Sequence, residues 1–502
     1  MTFKAQRRID GQAEDVASSF ERFAEVAPWI LLAYVFVQLL VRLLLSSSLE
    51  WDEAQFVGQI DFRLGYGNSQ GPLFNWMVGL FHSLTGSWSM AVAVPKHFLL
   101  AATYLLQYDL VRRLTGSAVA AAAGAFALLL VPQIVILSEI TLAQTVLAQT
   151  SVTAALHAVV LILQRQSIGR FVWLGIALGC GLLSKYNFVI VVAAIGAATI
   201  TAPQIRARLF SRSILASLAI VVAMVTPHAI WALTHVEGTM GRMKKLEAAN
   251  KYVGWADFPV VGIDGLLSLL FGVVLAILPL WIVWRTAFLR GPDLAMGNLG
   301  ADPTLVDIRR FFLLVWLLPV GAFAVFVLVL DLHMVRLRHV TPLIMAFPIW
   351  LGLAYAIDRK PVAAQGIVTI AAAFAVFVSI AWPLQVILIR GPLNYPYPEM
   401  ASAIVDTVEP PFAIYPSGTQ ARNLVARIDG ATLWDDGSPA ENVLVVSKKE
   451  RDIDRARDVF GDAYLPVDGQ SEASFRNHYL NDSMRTLSWQ LFKRTPTSSD
   501  GR

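Results

Sequence analysis

The sequence predicts an all-α polytopic membrane protein of about 11 or more transmembrane helices, followed by a small C-terminal soluble α/β domain. Three observations carry this prediction. Charged residues make up 15% of the 502 residues and apolar ones 56%, with a mean hydropathy of +0.58, whereas a soluble domain carries roughly a quarter charged residues. The apolar residues gather into runs that match the about 20 residues of helix a bilayer requires, and a helix satisfies its own backbone in lipid. After Arg390 the pattern changes: short β-type runs such as FAIYPSG and NVLVVS alternate with helix-like stretches such as QARNLVARI and ERDIDRARDVF. Residues 1–389 therefore read as the membrane domain and 390–502 as the soluble one.

In order along the chain, spans are expected at 27–45, 88–110, 116–137, 140–163, 171–184, 187–202, 213–233, 262–286, 310–331, 340–357 and 362–389. The first follows a long charged leader and ends in SSSLEWDE without a small-x-small cleavage pattern, so it reads as an uncleaved span. Arg112 and Arg113, Arg165 and Arg170, Arg206, Arg208 and Arg212, Arg285 and Arg290, Arg309 and Arg310, and Arg359 and Lys360 fall on alternate loops. The excess of positive charge in cytoplasmic loops places those loops and the amino terminus in the cytoplasm. Residues 46–87, the turns near 138 and 185, the stretch 234–261, the turn 332–339 and everything after 390 become exoplasmic, which in a bacterial inner membrane is periplasmic. The single cysteine, Cys180, excludes an intrachain disulfide and a Cys-based metal cluster. A net charge of +4 with basic residues scattered between spans gives no stripe for nucleic acid. No period of 20–50 residues repeats.

The first exoplasmic loop, residues 46–87, is longer than a connector needs and rich in carboxylates and aromatics, as functional loops are. Asp52 and Glu53 come directly after the first span, where a carboxylate can be half-desolvated at the bilayer edge and serve as a general base. The alternative is that both cap an interfacial helix, since acidic residues are favoured in a first helical turn.

W-D-E at 51–53, L-G-Y at 64–66, G-P-L at 71–73 and Trp76 resemble the first-loop signature of a polyprenyl-phosphate-sugar-dependent glycosyltransferase superfamily of GT-C type. Its members include protein O-mannosyltransferases and the bacterial transferases that place aminoarabinose or galacturonic acid on lipid A and its core. L-L-S-K-Y at 182–186 and R-L-R-H-V-T-P at 336–342 support the resemblance. It implies a helical bundle with an exoplasmic site, a polyprenyl-phosphate sugar donor, and a lipid, glycan or protein acceptor. It further implies that Asp52 deprotonates the acceptor hydroxyl, while Glu53 orients it or helps hold a metal. The chain departs from the family pattern twice: Gly71-Pro72 stands where relatives commonly show a Pro pair, and the second family aspartate, expected early in the fourth span, is missing. Glu139 precedes that point and Gln144 lies at about the position itself.

Glu139 could bind metal or position the acceptor, but a Glu after Ser138 at a helix start is also what capping produces. Asp52, Glu53 and Glu139 are the obvious oxygen donors for a divalent ion, which needs several, so metal dependence stays open. Exoplasmic basic residues run against the orientation bias and need a reason. Lys96, Lys185, Arg336, Arg338 and His339 could gather around one lipid phosphate, or could snorkel to headgroups at helix ends. Arg242, Lys244, Lys245 and Lys251, interleaved with apolar residues in the loop 234–261, suggest an interfacial helix. Tyr66, Trp76 and Trp51 could contact sugar or simply mark the membrane interface. The rival readings are a transporter or lipid flippase, which should show paired repeats and broken helices near the midplane, and an assembly subunit without catalysis.

Overall fold

The structure, a computed structural model, describes residues 3–66, 70–140, 142–236, 263–290, 303–330, 334–358, 361–389, 391–416, 418–434, 440–447, 450–467, 469–479 and 484–495, together with residue 332. The interfacial helix expected around Arg242, Lys244, Lys245 and Lys251 lies outside these residues.

Apolar runs become helices throughout the first 388 residues, because in lipid each backbone group must find its partner within the segment. The helices are α1 (Phe3–Leu45), α2 (Trp51–Ala54), α3 (Leu73–Thr85), α4 (Trp88–Thr115), α5 (Ala118–Phe126), α6 (Pro132–Val135), α7 (Leu137–Ile140), α8 (Ala143–Gln164), α9 (Ile168–Leu182), α10 (Phe188–Thr201), α11 (Pro203–Leu209) and α12 (Ile214–Thr234). They continue with α13 (Ile263–Arg290), α14 (Pro303–Val329), α15 (Leu337–Val340), α16 (Ala346–Asp358) and α17 (Pro361–Leu388). Among the described residues, eight stretches are long and apolar enough to cross a membrane, two further bent helix pairs qualify together, and α9 is a shorter apolar helix. Each expected span falls on one of these.

The two bent pairs depart from the expected straight spans. Ala118–Leu130 and Pro132–Ile140 meet at 72°, and Phe188–Thr201 and Pro203–Leu209 at 119°. A proline pushes the residue before it out of the helical region, and both residues concerned are extended: Val131 at φ −89, ψ 105 and Ala202 at φ −113, ψ 96.

The chain divides into two compact units. The first comprises residues 1–39, 63–74 and 96–379, the second residues 40–62, 75–95 and 380–502. Most of the first loop, expected to belong with the membrane domain, thus groups with the C-terminal region. Within the first unit α8 packs on α9, α9 on α12, α10 on α14, and α16 on both α5 and α14. The apolar window of α8 is 89% buried and that of α12 only 11%, so α12 turns Leu215, Leu218 and Val222 outward, as a lipid-facing helix does.

The C-terminal part of the second unit contains α18 (Tyr397–Val405), β1 (Phe412–Tyr415), α19 (Thr419–Val425), β2 (Ala431–Leu433), β3 (Asn442–Ser447), α20 (Glu450–Phe460), β4 (Tyr464–Pro466), β5 (Ser471–Arg476) and β6 (Met484–Arg494). The sheet runs β2-β1-β3-β6-β4, with β5 also paired to β6. β1 is parallel to β2 and β3, and β6 is antiparallel to its three neighbours. Side chains alternate across a strand, so β3 serves two cores. Leu444 and Val446 pack with Ile404, Phe412, Leu424 and Trp489, and Val443 and Val445 with Ile453, Phe460 and Phe492.

Candidate active site

In the second unit the chain leaves α1 at Leu45 and re-enters helix at Trp51 through a turn organised by Arg42. Its guanidinium is fully buried and donates from Nε to Glu53 Oε1 at 3.1 Å, from Nη2 to Glu53 Oε2, from Nη1 to the Ser46 carbonyl at 2.8 Å and from Nη2 to the Ser48 carbonyl at 2.9 Å. Glu53 Oε2 also accepts the Glu50 backbone N–H at 3.1 Å, which with the Glu50 side chain completes a reciprocal capping box on α2. The capping expectation therefore holds for Glu53, whose carboxylate is 1% exposed and committed to Arg42 and the cap. Asp52, one position earlier and so turned about 100° around the helix axis, is only half-buried. Of the two adjacent carboxylates, Glu53 is built into the turn and Asp52 is the more exposed. Arg42 escaped sequence reasoning, although a lone arginine in the last turn of an apolar span is costly enough to demand a partner.

In the first unit three sequence motifs meet. Gly71 lies so close to the L-L-S-K-Y segment that a Cβ there would stand 1.9 Å from the Leu183 carbonyl oxygen, and the Leu73 N–H donates to that oxygen at 3.3 Å. Two residues on, the Lys185 ammonium donates to the Arg338 carbonyl at 3.1 Å, and Asn187 Nδ2 to the His339 carbonyl at 3.5 Å. Upstream, Gly65 lies against the Trp231 indole, where a Cβ would sit 2.0 Å from a ring carbon. The Leu64 carbonyl lies 2.6 Å from His228 Nδ1; a carbonyl only accepts, so Nδ1 carries the proton, and in the neutral ring Nε2 faces the Tyr186 hydroxyl as acceptor at 3.3 Å. The family-like motifs thus form one packed junction presenting Lys185, Arg338 and His339 together. Lys185 is 7% exposed, Arg338 and His339 are half-buried and Arg336 is exposed. Tyr66 and Trp76 are both half-buried, the first in this unit and the second in the other.

Lys96 and Glu139 form a further cluster in the first unit. Lys96 is fully buried and donates to the Glu139 carbonyl oxygen at 2.8 Å. Glu139, 3% exposed, directs its carboxylate to His97 Nε2 at 3.0 Å. Ser138 donates to the Gln133 carbonyl at 3.3 Å instead of capping. The capping reading of Glu139 gives way to a buried carboxylate–imidazole contact, and snorkelling gives way to burial within the protein for Lys96 and Lys185. Gln144, 3% exposed, lies in the first turn of α8. His97 was not singled out from the sequence, and its position beside Lys96 was the available signal.

For a divalent ion the residues do not fit. Glu53 spends its oxygens on Arg42 and the Glu50 amide, and among the described residues no group of three His, Cys, Asp or Glu side chains gathers as ligands.

These features define a class: a multi-span helical membrane protein with a carboxylate immediately after its first span, cations buried among its helices, and an α/β unit at its C-terminal end. Residues 69–231 match the family described as dolichyl-phosphate-mannose-protein mannosyltransferase. The chain is 29% identical over 336 residues to the lipopolysaccharide core galacturonosyltransferase RgtA of Rhizobium johnstonii, a match covering 66% of this chain and 64% of that protein. It is 28% identical over 239 residues to RgtB of the same organism, covering 47% and 48%. The matches thus span less than two thirds of either relative's length. In fold it is similar to ArnT from Cupriavidus metallidurans, with a TM-score of 0.58 at 14% identity, covering 92% of this chain and 97% of that one in the apo state. Against the same protein bound to undecaprenyl phosphate the TM-score is 0.54, also at 14% identity. The chain is thus similar in part of its sequence to named membrane glycosyltransferases and in fold to ArnT.

Proposed function

We propose that the protein transfers a sugar from a polyprenyl-phosphate carrier to a lipid, glycan or protein acceptor at the periplasmic face of the inner membrane. The observation that carries this reading is the division of labour at residues 52 and 53: Arg42 and the cap of α2 take up Glu53, and half-buried Asp52 is assigned the role of base. Asp52 accepts the acceptor's hydroxyl proton, the acceptor oxygen forms a bond to the anomeric carbon, and the bond from that carbon to the phosphate oxygen breaks. The electron pair leaves with the lipid phosphate, whose charge rises from one to two negative units. Cations in a dry site stabilise such a leaving group, and Lys185 with Arg338 and His339, joined by the Lys185 hydrogen bond to the Arg338 carbonyl, are assigned that role. Displacement in one step inverts the anomeric centre.

The relatives' names make a polyprenyl-phosphate galacturonic acid and a lipopolysaccharide core the first donor and acceptor to test. Purified protein in lipid nanodiscs, given both, should release the carrier phosphate and yield a sugar-bearing acceptor by mass spectrometry. Asp52→Asn should lower kcat by about 10²- to 10⁴-fold, the range of general base catalysis. An Asp52→Asn protein with full transferase activity would remove the assignment. A second reading, a transporter or lipid flippase, draws on the two bent helix pairs; movement of the donor across liposomes without acceptor consumption would favour it.

A further inference from the structure

Three residues of the C-terminal α/β region hold the backbone on both sides of Asp52. Asn423, on α19, is fully buried; its Oδ1 accepts the Leu49 N–H at 2.8 Å, and its Nδ2 donates to the Leu49 carbonyl at 3.0 Å and to the Thr419 carbonyl at 3.0 Å. One side-chain amide thereby satisfies both backbone groups of a single residue, as a neighbouring β-strand would, three positions before Asp52. Arg427 braces the amide by donating from Nη1 to Asn423 Oδ1 at 3.3 Å and to the Asn423 carbonyl at 2.8 Å. Both groups facing Oδ1 are donors, so the amide's orientation is determined. Arg427 Nη2 also reaches Ser47 Oγ at 3.2 Å.

Downstream of Asp52, Arg422 Nη1 donates to the Gln55 carbonyl at 3.1 Å and the Val57 carbonyl at 2.8 Å. The Gln55 carbonyl follows directly on α2, where helical partners run out. Between these polar anchors, Leu49, Ala54 and Val57 form a small buried cluster against Val425, Ala426 and Trp88. A seven-residue helix and the arginine two residues past its end thus grip residues 47–57 on both sides of Asp52.

We infer that Asn423, Arg422 and Arg427 are positioning residues for the Asp52 turn, so that the C-terminal α/β region is part of the transfer machinery. The inference rests on the reading of Asp52 as the base. The physical argument is one of tolerance. A catalytic group must be held to within about 0.5 Å, and misplacement by about 1 Å can cost about 10²-fold in rate. The four-residue helix α2 cannot hold that geometry alone, because helices much shorter than about 12 residues do not persist by themselves. Side chains that touch no substrate supply the rigidity.

The test uses the full-length protein in nanodiscs and compares Asn423→Ala, Arg422→Ala, Arg422→Lys and Asp52→Asn by two measurements. Hydrogen exchange on residues 47–57 requires no substrate; Asn423→Ala and Arg422→Ala should raise it there at least tenfold, and unchanged exchange would overturn the clamp. Steady-state transfer with a polyprenyl-phosphate galacturonic acid donor should show kcat reduced about 10- to 100-fold with the donor KM within twofold, and Arg422→Lys, whose ammonium can reach the same two carbonyls, should recover most of the loss. A purely structural role would instead lower folded yield and thermal stability and leave the kcat of the surviving protein at the wild-type value. Raised exchange with unchanged kcat would overturn the positioning role, and a fully active Asp52→Asn protein in the same series would show that it is the catalytic reading that has failed.

Discussion

The acidic turn at 46–57 and the motif junction at 64–73, 182–187 and 336–339 are both short non-spanning segments held at defined geometry, yet they are held by different means. At the junction, close approaches of backbone to backbone or ring add to side-chain-to-backbone bonds such as that of Lys185 to the Arg338 carbonyl. Gly71 against the Leu183 carbonyl and Gly65 against Trp231 are close approaches that a side chain would forbid. At the turn, side chains reach to backbone. Arg42 binds two carbonyls and Glu53, and Asn423 and Arg422 bind the chain on either side. Holding by absent side chains depends on a glycine at each point of contact, since any Cβ there would clash. Holding by long polar side chains depends on partners that can come from anywhere, as Asn423 does, 374 positions from Leu49.

That contrast can be broken or sharpened by substitution. The largest effect is expected at the turn. Glu53→Ala leaves the Arg42 charge buried and short of its partner, which should cost about 3–5 kcal/mol, read as lost thermal stability of the purified protein. Arg42→Met combined with Glu53→Leu should recover only part of it, because the Ser46 and Ser48 carbonyls lose their donor. Full recovery would mean that the ion pair alone organises the turn. At the junction, Gly71→Ala forces a methyl group into a backbone carbonyl that cannot rotate away, with an expected cost of about 1–3 kcal/mol and lower transfer activity. Wild-type stability and activity would show that the close approach is not needed. The smallest change is expected from Lys185→Ala, which leaves the packing of the glycines intact and should weaken binding of undecaprenyl phosphate by about tenfold, or about 1.4 kcal/mol, in a titration. Unaltered affinity would take Lys185 out of the phosphate site.

The comparison also explains what was legible beforehand. The spans follow from composition, since apolar length and the demand for internal hydrogen bonds leave one solution. In the tail, β1, β3, α19 and α20 follow from short β-type runs and helical spacing, whereas β6, which pairs with three other strands, reads as MRTLSWQLFKR, where the alternation over Leu487–Leu491 marks a half-buried strand but not its central place. Lys185 and Arg338 were visible because charge at an exoplasmic helix end is unexpected. The division between Asp52 and Glu53 was not, since adjacent carboxylates look alike until Arg42 selects one. Glu139 read as a cap because local sequence reports the first turn of a helix but not the His97 imidazole facing it from α4.

By itself the sequence determined the class of the protein: its membrane embedding, the number of apolar segments, the soluble tail and the short list of residues able to do chemistry. Those follow from local properties, hydropathy and periodicity, that each segment carries within itself. Tertiary structure alone decided that Glu53 rather than Asp52 is spent on architecture, which cations share a motif junction, and that a helix near residue 423 holds the turn near residue 52. Those are pairings between side chains far apart in the chain, and a hydrogen bond between them depends on a distance and direction that exist only once the chain has folded.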